Sequence, residues 1–409
     1  GFSSLVIGQT CDDGIRNGSE TGIDCGGFYC PPCESFVQSS LQQVITQRNL
    51  ENLSEVGSNF SLAMDATGNR YVVMYWDNVL GDNINVVFTG STLTGQINEV
   101  HSWRNESLAR QWVDITRDGE TILFSDGIGE IYVSNWDGTE FRVVADEIES
   151  QNPIFNNFEL TTHSSPKFSY DGASIYFLHR GNRDVTGLYE VGINQTVVGK
   201  WIFSFADMEN EFGEAKSSNH NTAFKEIRIP DSGEVFFLSS IHNVRGDEFS
   251  IFYYHDGKLR RVIEEGPTWT YGYDVSTNSD QIFYPSREGG KLMGYYRPLD
   301  RFTEFDFTHF TRGQILDVSS NDAGTTALVK AFEWASPNDG NGFFMTNLEG
   351  RVLFPIDVGN STLYAAHDRA DLMVMSGQGD RLLFTNSTAS NATSLWIADI
   401  SEPIILSDD

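Results

Sequence analysis

The chain has 409 residues, 39% of them hydrophobic, which is enough for a large core, and 57 acidic against 27 basic residues give it a net charge of −30. This charge argues against nucleic acid or an anionic membrane as a partner, because both would be repelled. No apolar run approaches the roughly 20 residues that span a bilayer, so no membrane insertion is expected.

Residues 1–10, GFSSLVIGQT, form a short apolar segment ahead of any repeat. Left alone, such a segment would be a disordered tail. We expect it to add as a strand to the edge of a sheet, either in its own molecule or in a neighbouring one. Other protein chains, contacted through residues 1–33 in a self-assembly, are therefore the predicted partners.

All four cysteines follow within one short stretch: Cys11, Cys25, Cys30 and Cys33. Clustered cysteines in a loop-rich segment predict disulfides and an oxidising compartment. Three pairings are open, and Cys11–Cys30 with Cys25–Cys33 is favoured, because a bridge between Cys30 and Cys33 would close a small, strained ring. A zinc site is the alternative, since Cys30-Pro-Pro-Cys33 has the spacing of a zinc knuckle.

The cysteine-rich segment resembles a short module, C-x-D-G-x-x-N-G-x-E-T-G-x-D-C-G-G, that is found near the termini of secreted and surface proteins. The segment also concentrates oxygen ligands, which predicts calcium, a cation that takes about six to eight oxygens. The alternative is that these side chains bond the local turns. No other cofactor is predicted. The candidate calcium ligands are Asp12, Asp13, Asn17, Glu20 and Asp24.

Residues 36–57 connect this first region, residues 1–35, to a repetitive region, residues 58–409. The apolar residues of the connection fit either one strand or a pair of helical turns. As a strand, the connection would close a ring of repeats on its last unit. Residues 402–407 offer an outer strand for the same place, and the sequence leaves the choice open.

The clearest repeat unit spans residues 110–144, where short apolar runs separated by Asp-Gly turns indicate four antiparallel strands. A period of roughly 40–50 residues with four strands per unit is typical of a β-propeller. We therefore predict an all-β, seven-bladed β-propeller with almost no helix. The first turn of each unit falls near Gly68, Gly119, Gly172, Gly233, Ser279, Gly324 and Gly379.

The repeats resemble the WD40-like, TolB-type propeller repeat, most closely in residues 110–133 and 165–177. This resemblance covers about 350 residues and implies an architecture without implying an activity.

Three histidines, His163, His220 and His367, precede first strands, which predicts that they reach one rim at the mouth of the axial channel. His179 and His242 follow second strands and belong to the same rim. Imidazole suits transition metals. The layout resembles that of oligogalacturonate lyases and related propeller polysaccharide lyases, which implies a divalent metal on these histidines and a basic residue that abstracts a proton. The candidates for that base are Arg180, Arg183 and Arg312.

Two further features have a structural and a functional interpretation. Residues 320–326 match most of the Asp-box of sialidases, S-x-D-x-G-x-T-W, which is a structural turn in that family and implies no hydrolysis. Trp103, Trp269 and Trp334 form either a surface for carbohydrate or protein, or packing between blades.

Eight N-x-[ST] sequons predict a glycosylated protein outside the cell. The chain starts with Gly1, which we take to indicate a processed, mature form. The sequons lie at Asn17, Asn52, Asn59, Asn105, Asn194, Asn360, Asn386 and Asn391.

The sequence therefore favours a non-catalytic extracellular glycoprotein for adhesion or assembly, at a cell surface or in an extracellular filament. A metal-dependent polysaccharide lyase, or another glycan-active propeller enzyme, is the alternative.

Overall fold

Seven tight turns divide the chain into repeating units, and all seven lie where the sequence predicts them. The turn residue has a positive φ, between 62° and 80°, at each position. Six of these residues are glycines, which adopt this conformation without steric cost, and the other is Ser279.

A polar residue three positions before the turn residue holds the turn in six of the units. Its side-chain oxygen accepts a hydrogen bond from the N–H five positions further on, as Thr116 does from Thr121 at 3.0 Å. Such bonds replace ladder bonds that the bend removes. The fourth unit has Pro230 at this place, which has no side-chain acceptor. The equivalent acceptors are Asp65, Ser169, Ser276, Asn321 and Ser376.

The computed structural model describes the strands that flank these turns. The described residues are 38–44, 60–79, 82–104, 112–125, 130–145, 162–180, 186–195, 200–213, 224–239, 249–264, 272–286, 291–307, 313–333, 342–347, 352–355, 373–387 and 393–400.

The first described strand, β1, spans Gln38–Val44. Blade 1 then contains β2 (Phe60–Met64), β3 (Arg70–Val79), β4 (Asp82–Ser91) and β5 (Ile97–Arg104). Blade 2 contains β6 (Trp112–Ile115), β7 (Thr121–Ser125), β8 (Ile131–Asn135) and β9 (Arg142–Ala145). Blade 3 contains β10 (Thr162–Phe168), β11 (Ser174–Arg180), β12 (Gly187–Gly192) and β13 (Lys200–Ser204).

The remaining blades follow the same order. Blade 4 contains β14 (Phe224–Arg228), β15 (Val235–Ser239), β16 (Ser250–His255) and β17 (Lys258–Ile263). Blade 5 contains β18 (Asp274–Val275), β19 (Gln281–Pro285), β20 (Leu292–Tyr296) and β21 (Arg301–Phe307). Blade 6 contains β22 (Gly313–Ser320), β23 (Thr326–Glu333), β24 (Gly342–Asn347) and β25 (Val352–Pro355). Blade 7 contains β26 (Met373–Met375), β27 (Arg381–Ser387) and β28 (Thr393–Ile400).

Each blade is an antiparallel sheet, and the fold is therefore the predicted all-β, seven-bladed propeller. The outer strands of blades 5 and 6 also pair with each other, in parallel, through Asp306 with Val352 and Phe307 with Leu353. One short helix, α1 (Phe205–Phe212), follows blade 3 and begins with a capping box between Ser204 and Asp207.

The ring is closed by β1, which supplies the fourth strand of blade 7. It pairs antiparallel with β28 from Gln38 opposite Ile400 to Val44 opposite Leu395. The connection predicted over residues 36–57 thus contributes a strand to the propeller. Residues 402–407, the alternative outer strand, lie outside the described residues, as do residues 1–37.

The core lies between the blades, because each sheet buries both faces against its neighbours. Six apolar clusters each join two successive blades, and one of them packs Leu62 and Tyr71 of blade 1 against Leu383 and Ile397 of blade 7. Arg381 reinforces that contact by donating to the Gly68 carbonyl at 2.8 Å. Radial packing of this kind brings seven inner strands to one axis.

Candidate functional site: the axial cavity

The inner strands, which are the first strands of the blades, surround an axial cavity of about 290 Å³. Four charged side chains face it from equivalent places in blades 2 to 5, five positions before the turn residue of each blade. A shared position in neighbouring repeats brings the side chains to one level of the channel. These residues are Asp114, Lys167, Arg228 and Asp274.

The charges pair in two couples between neighbouring blades. Lys167 lies 3.1 Å from an oxygen of Asp114, and the other oxygen of Asp114 accepts the Phe168 N–H at 2.9 Å. One carboxylate thus joins the inner strand of blade 2 to that of blade 3 through both a charge and the backbone.

Arg228 is the centre of the second couple. Its guanidinium donates to Asp274 at 3.0 Å and to Glu226 at 3.2 Å, and it lies 5.5 Å from the ring centroid of Tyr273. Burial opposes the charge of Arg228, but the two carboxylates outweigh burial and raise its pKa above the usual value.

Glu226 reaches the cavity through a β-bulge. Its φ is +47°, and the pairing of β14 with β15 shifts register between Lys225 and Ile227. The Tyr273 hydroxyl donates to the Glu226 carbonyl at 3.2 Å, which supports this backbone. Bulges re-aim single side chains, and here the bulge directs a carboxylate at Arg228.

Each inner strand is the edge strand of its blade, so the N–H groups on its free edge have no partner within the sheet. Side-chain oxygens of the neighbouring blade accept hydrogen bonds from some of these N–H groups. Asp274 accepts from the Ser320 N–H at 2.6 Å, for example. Together with the bond from Phe168 to Asp114, these bonds join successive inner strands from blade 1 to blade 4 and from blade 5 to blade 7. The other pairs are Ser61 with Val113, Ser165 with Ile227, and Ser319 with Met375.

A buried amine lies behind the wall of the cavity in blade 6. Lys330 of β23 is 2% exposed and stands directly opposite Asp317 of β22, which lines the cavity. Burial lowers the pKa of Lys330 to about 8, although Asp317 acts in the opposite direction. Gly272 packs against the backbone of Asp317, where a Cβ would come within 2.5 Å of its Cα.

A salt bridge crosses the axis at the mouth on the turn side. Arg117 of blade 2 forms a bidentate pair with Asp322 of blade 6, with one N–O distance of 2.9 Å. The Arg117 guanidinium also lies 4.6 Å from the ring centroid of Tyr170. The Asp-box-like residues 320–326 form the blade 6 copy of the repeated turn, and Asp322 projects from that turn.

The remaining part of the wall is apolar. Blades 7 and 1 contribute no charged side chain to it among the described residues. We call this the apolar arc, and we call the wall formed by blades 2 to 6 the polar arc. The apolar arc contains Leu62, Met64, Met373, Val374 and Met375.

The predicted rim histidines are only partly placed. His163 lies in β10 with its backbone opposite His179 of β11. The His179 ring is 4% exposed and makes an edge contact with Tyr189 at 5.3 Å. His220, His242 and His367 lie outside the described residues, so their convergence stays a prediction. Of the candidate bases, Arg180 ends β11, whereas Arg183 and Arg312 lie outside the described residues.

Most of the other predicted sites also lie outside the described residues. This holds for the four cysteines, the five calcium-ligand candidates, Trp269, Trp334 and six of the eight sequons. Asn194 is exposed in the turn after β12, and Asn386 lies in β27. Trp103 packs between blades 1 and 2, with its ring centroid 5.8 Å from that of Phe124.

Within the described part of the chain, no group of three or more His, Cys, Asp or Glu side chains is arranged to hold a metal ion. A search of the same residues for a helix long and apolar enough to cross a membrane finds none.

The two charged couples of the axial wall were not predicted from the sequence, although the repeats contain a pattern that indicates them. When the units are aligned on their turn residues, one column reads Asp, Lys, Arg and Asp in blades 2 to 5. Opposite charges in one column of neighbouring repeats indicate contacts between blades.

No family model matches the chain, and no curated protein matches it. Among solved structures, an oligogalacturonate lyase from Vibrio parahaemolyticus is similar, with a TM-score of 0.58 and 11% identity over 90% of this chain and 96% of that one. An oligogalacturonate lyase in complex with manganese has a TM-score of 0.58 and 10% identity over the same shares. The β-propeller domain of the Trilobed protease from Pyrococcus furiosus has a TM-score of 0.54 and 14% identity, over 86% of this chain and 96% of that one.

These likenesses show the fold alone, since identities of 10–14% carry no activity across. Fold and site together define the class: a seven-bladed β-propeller whose axial cavity has a polar and an apolar arc.

Proposed function

We propose that the protein is a non-catalytic extracellular glycoprotein for adhesion or assembly, at a cell surface or in a filament, and that residues 1–33 contact a neighbouring chain. The position of β1 carries this proposal. Because β1 is the outermost strand of blade 7, the chain ahead of Gln38 starts from the perimeter of the ring. A segment attached at the perimeter is well placed to meet another molecule.

The bonding of the axial wall supports a non-catalytic role. Lys167, Arg228 and Arg117 each hold a carboxylate of another blade. An acid or base that acts on a substrate needs a proton-transfer position within hydrogen-bond reach of that substrate. These three cations instead bind blades to one another.

The N-terminal region and the glycans complete the proposal. We propose two disulfides among Cys11, Cys25, Cys30 and Cys33, with calcium as a further ligand of the same segment. Disulfides would hold so small a module together with a few kcal/mol each. The exposure of Asn194 in its turn supports its use as a glycan site.

The assembly proposal is tested by deleting residues 1–33 and measuring mass by light scattering over a concentration series. The deletion spares β1, so the propeller should melt as the full chain does. We expect the full chain to form concentration-dependent oligomers and the truncated chain to stay monomeric. Two monomers at every concentration would refute assembly through this segment.

A metal-dependent polysaccharide lyase is the second candidate. The fold likeness to an oligogalacturonate lyase in complex with manganese, together with the place of His163 on an inner strand, favours it. The test is cleavage of oligogalacturonate with manganese, followed by absorbance of the unsaturated product. Cleavage that His163→Ala abolishes, with the melting temperature unchanged, would replace the non-catalytic proposal.

A further inference from the structure

A cluster of five aromatic rings lies between blades 1 and 2, away from the axis. We call it the aromatic shelf. The ring centroids of His101 and Phe141 are 4.7 Å apart, those of Phe124 and Tyr132 are 5.2 Å apart, and those of Tyr132 and Phe141 are 5.4 Å apart. The members of the shelf are His101, Trp103, Phe124, Tyr132 and Phe141.

The ring pairs of the shelf are stacked or tilted, with interplanar angles from 18° to 44°. The interplanar angle is 18° between Phe124 and Tyr132, 23° between Tyr132 and Phe141, and 29° between His101 and Trp103. Aromatic pairs in proteins adopt offset-stacked and edge-to-face arrangements with comparable preference. Rings whose centroids lie 4.7 to 6.3 Å apart pack against one another, so the shelf offers a ligand mainly the exposed ring of Phe141.

Packing between blades explains only the base of the shelf. Phe124 is fully buried in the apolar cluster between blades 1 and 2, and Trp103 and Tyr132 pack against that cluster. Phe141, however, is 41% exposed, just ahead of the outer strand β9. An exposed ring that extends a buried stack suggests a surface that another molecule covers.

The charges around the shelf indicate the kind of molecule. Burial lowers the pKa of His101, so the imidazole is neutral near pH 7 and the five rings carry no charge. Glu140, the neighbour of Phe141 in the chain, is exposed and supplies a carboxylate that accepts hydrogen bonds from hydroxyl groups. The net charge of −30 repels polyanions.

We propose that the aromatic shelf binds a neutral oligosaccharide, with one pyranose ring stacked on Phe141. The C–H face of a pyranose is apolar and weakly positive, and it complements the negative face of an aromatic ring. The hydroxyl groups at the edge of the sugar then reach Glu140. This ligand class deepens the adhesion function, and in that respect the inference rests on the function proposed above.

The test uses the full chain from an oxidising bacterial host, so that no N-glycan at Asn105, two positions beyond Trp103, occupies the shelf. The probes are cellohexaose, mannohexaose and xylohexaose, with trigalacturonate as the anionic comparison, titrated by calorimetry. The variant is Phe141→Ala. The matched control is Phe302→Ala, which removes a ring that is 52% exposed on blade 5 and stacked on Tyr295 at 4.6 Å.

We expect at least one neutral probe to bind, and Phe141→Ala to weaken that binding about tenfold, which is the effect of one lost ring stack. Phe302→Ala should leave the affinity unchanged, and both variants should melt as the wild type does. The inference is overturned if no neutral probe binds, if trigalacturonate binds better, or if both variants lose the same affinity.

The two proposals fail separately. Sugar binding by the chain that lacks residues 1–33 would leave the shelf standing even if the full chain is monomeric. Oligomers that form without any sugar binding would leave assembly standing and remove the shelf.

Discussion

The two arcs of the axial wall hold their blades together by different means. In the polar arc, each contact described above joins named atoms, such as Arg228 to Asp274 at 3.0 Å. In the apolar arc, uncharged side chains such as Met64 and Met375 line the cavity. The ring is closed there by the pairing of β1 with β28, which lies farther from the axis. A charged contact needs one geometry, whereas an apolar contact tolerates adjustment. The apolar arc, where the ring is closed, should therefore tolerate substitutions better than the polar arc.

The largest effect should come from removing β1. Deleting residues 1–44 leaves six residues of β28, Leu395 to Ile400, without their partners in β1 and opens the ring. We expect a loss of more than about 5 kcal/mol, the whole stability of many domains, seen as an early urea transition or as aggregation. The deletion of residues 1–33 is the control. Equal stability of the two truncated chains would show that the apolar arc closes the ring without β1.

Next in size is the loss of Arg228 from the polar arc. Arg228→Met leaves Glu226 and Asp274 without their cation, which should cost about 3 kcal/mol or more in urea unfolding. Met375→Leu in the apolar arc conserves volume and should cost less than about 1.5 kcal/mol. If Met375→Leu proves the more damaging change, the contrast between the arcs is wrong.

Lys330 should make the polar arc sensitive to alkaline pH. Its pKa is about 8 in the folded state and 10.5 as the reference value, so the unfolded chain binds more protons between these values. Stability should therefore rise with pH, on the order of 2 kcal/mol between about pH 7 and 9.5.

Urea unfolding across this range measures the effect, and Lys330→Met should remove the rise. The upper limit matters, because burial raises the pKa of tyrosines such as Tyr71 and Tyr189, which makes stability fall above their usual pKa of 10. A wild-type stability that is flat up to pH 9.5 would contradict the prediction.

The smallest effect is expected for an ion pair outside both arcs. Lys291 and Glu304 lie 2.5 Å apart on blade 5, but their side chains are 46% and 56% exposed. Water and salt screen such a pair, so Lys291→Ala should change the free energy of unfolding by less than about 1 kcal/mol. If Lys291→Ala lowered the free energy of unfolding as much as Arg228→Met does, the location of an ion pair in the axial wall would not determine its contribution to stability.

The fold could be predicted because local chemistry repeats along the chain. A glycine such as Gly119 and an acceptor such as Thr116 define a turn wherever they recur, and no distant partner is needed to recognise them. Ring closure could not be settled, since residues 38–44 and 402–407 are both plausible outer strands by pattern. Only the pairing of Gln38 with Ile400 decides between them.

The candidate site was harder to predict because its contacts cross blades. Arg117 and Asp322 meet over the axis although 205 positions separate them. The metal site predicted on His163, His220 and His367 stays a prediction, because only His163 lies among the described residues. A column of charges at one place in the repeat predicts contacts between blades, and it becomes visible only when the units are aligned on their turns.

The pairing of β1 with β28 also determines when the ring can close during biosynthesis. Gln38 and its partner Ile400 are 362 positions apart (400 − 38), so β1 leaves the ribosome well before the strand with which it pairs. A ribosome adds about 5–20 residues per second, so the 356 residues from position 45 to Ile400 (400 − 44) take on the order of 20–70 s. Until then, the blades already synthesised cannot be closed into a ring by the pairing of β1 with β28.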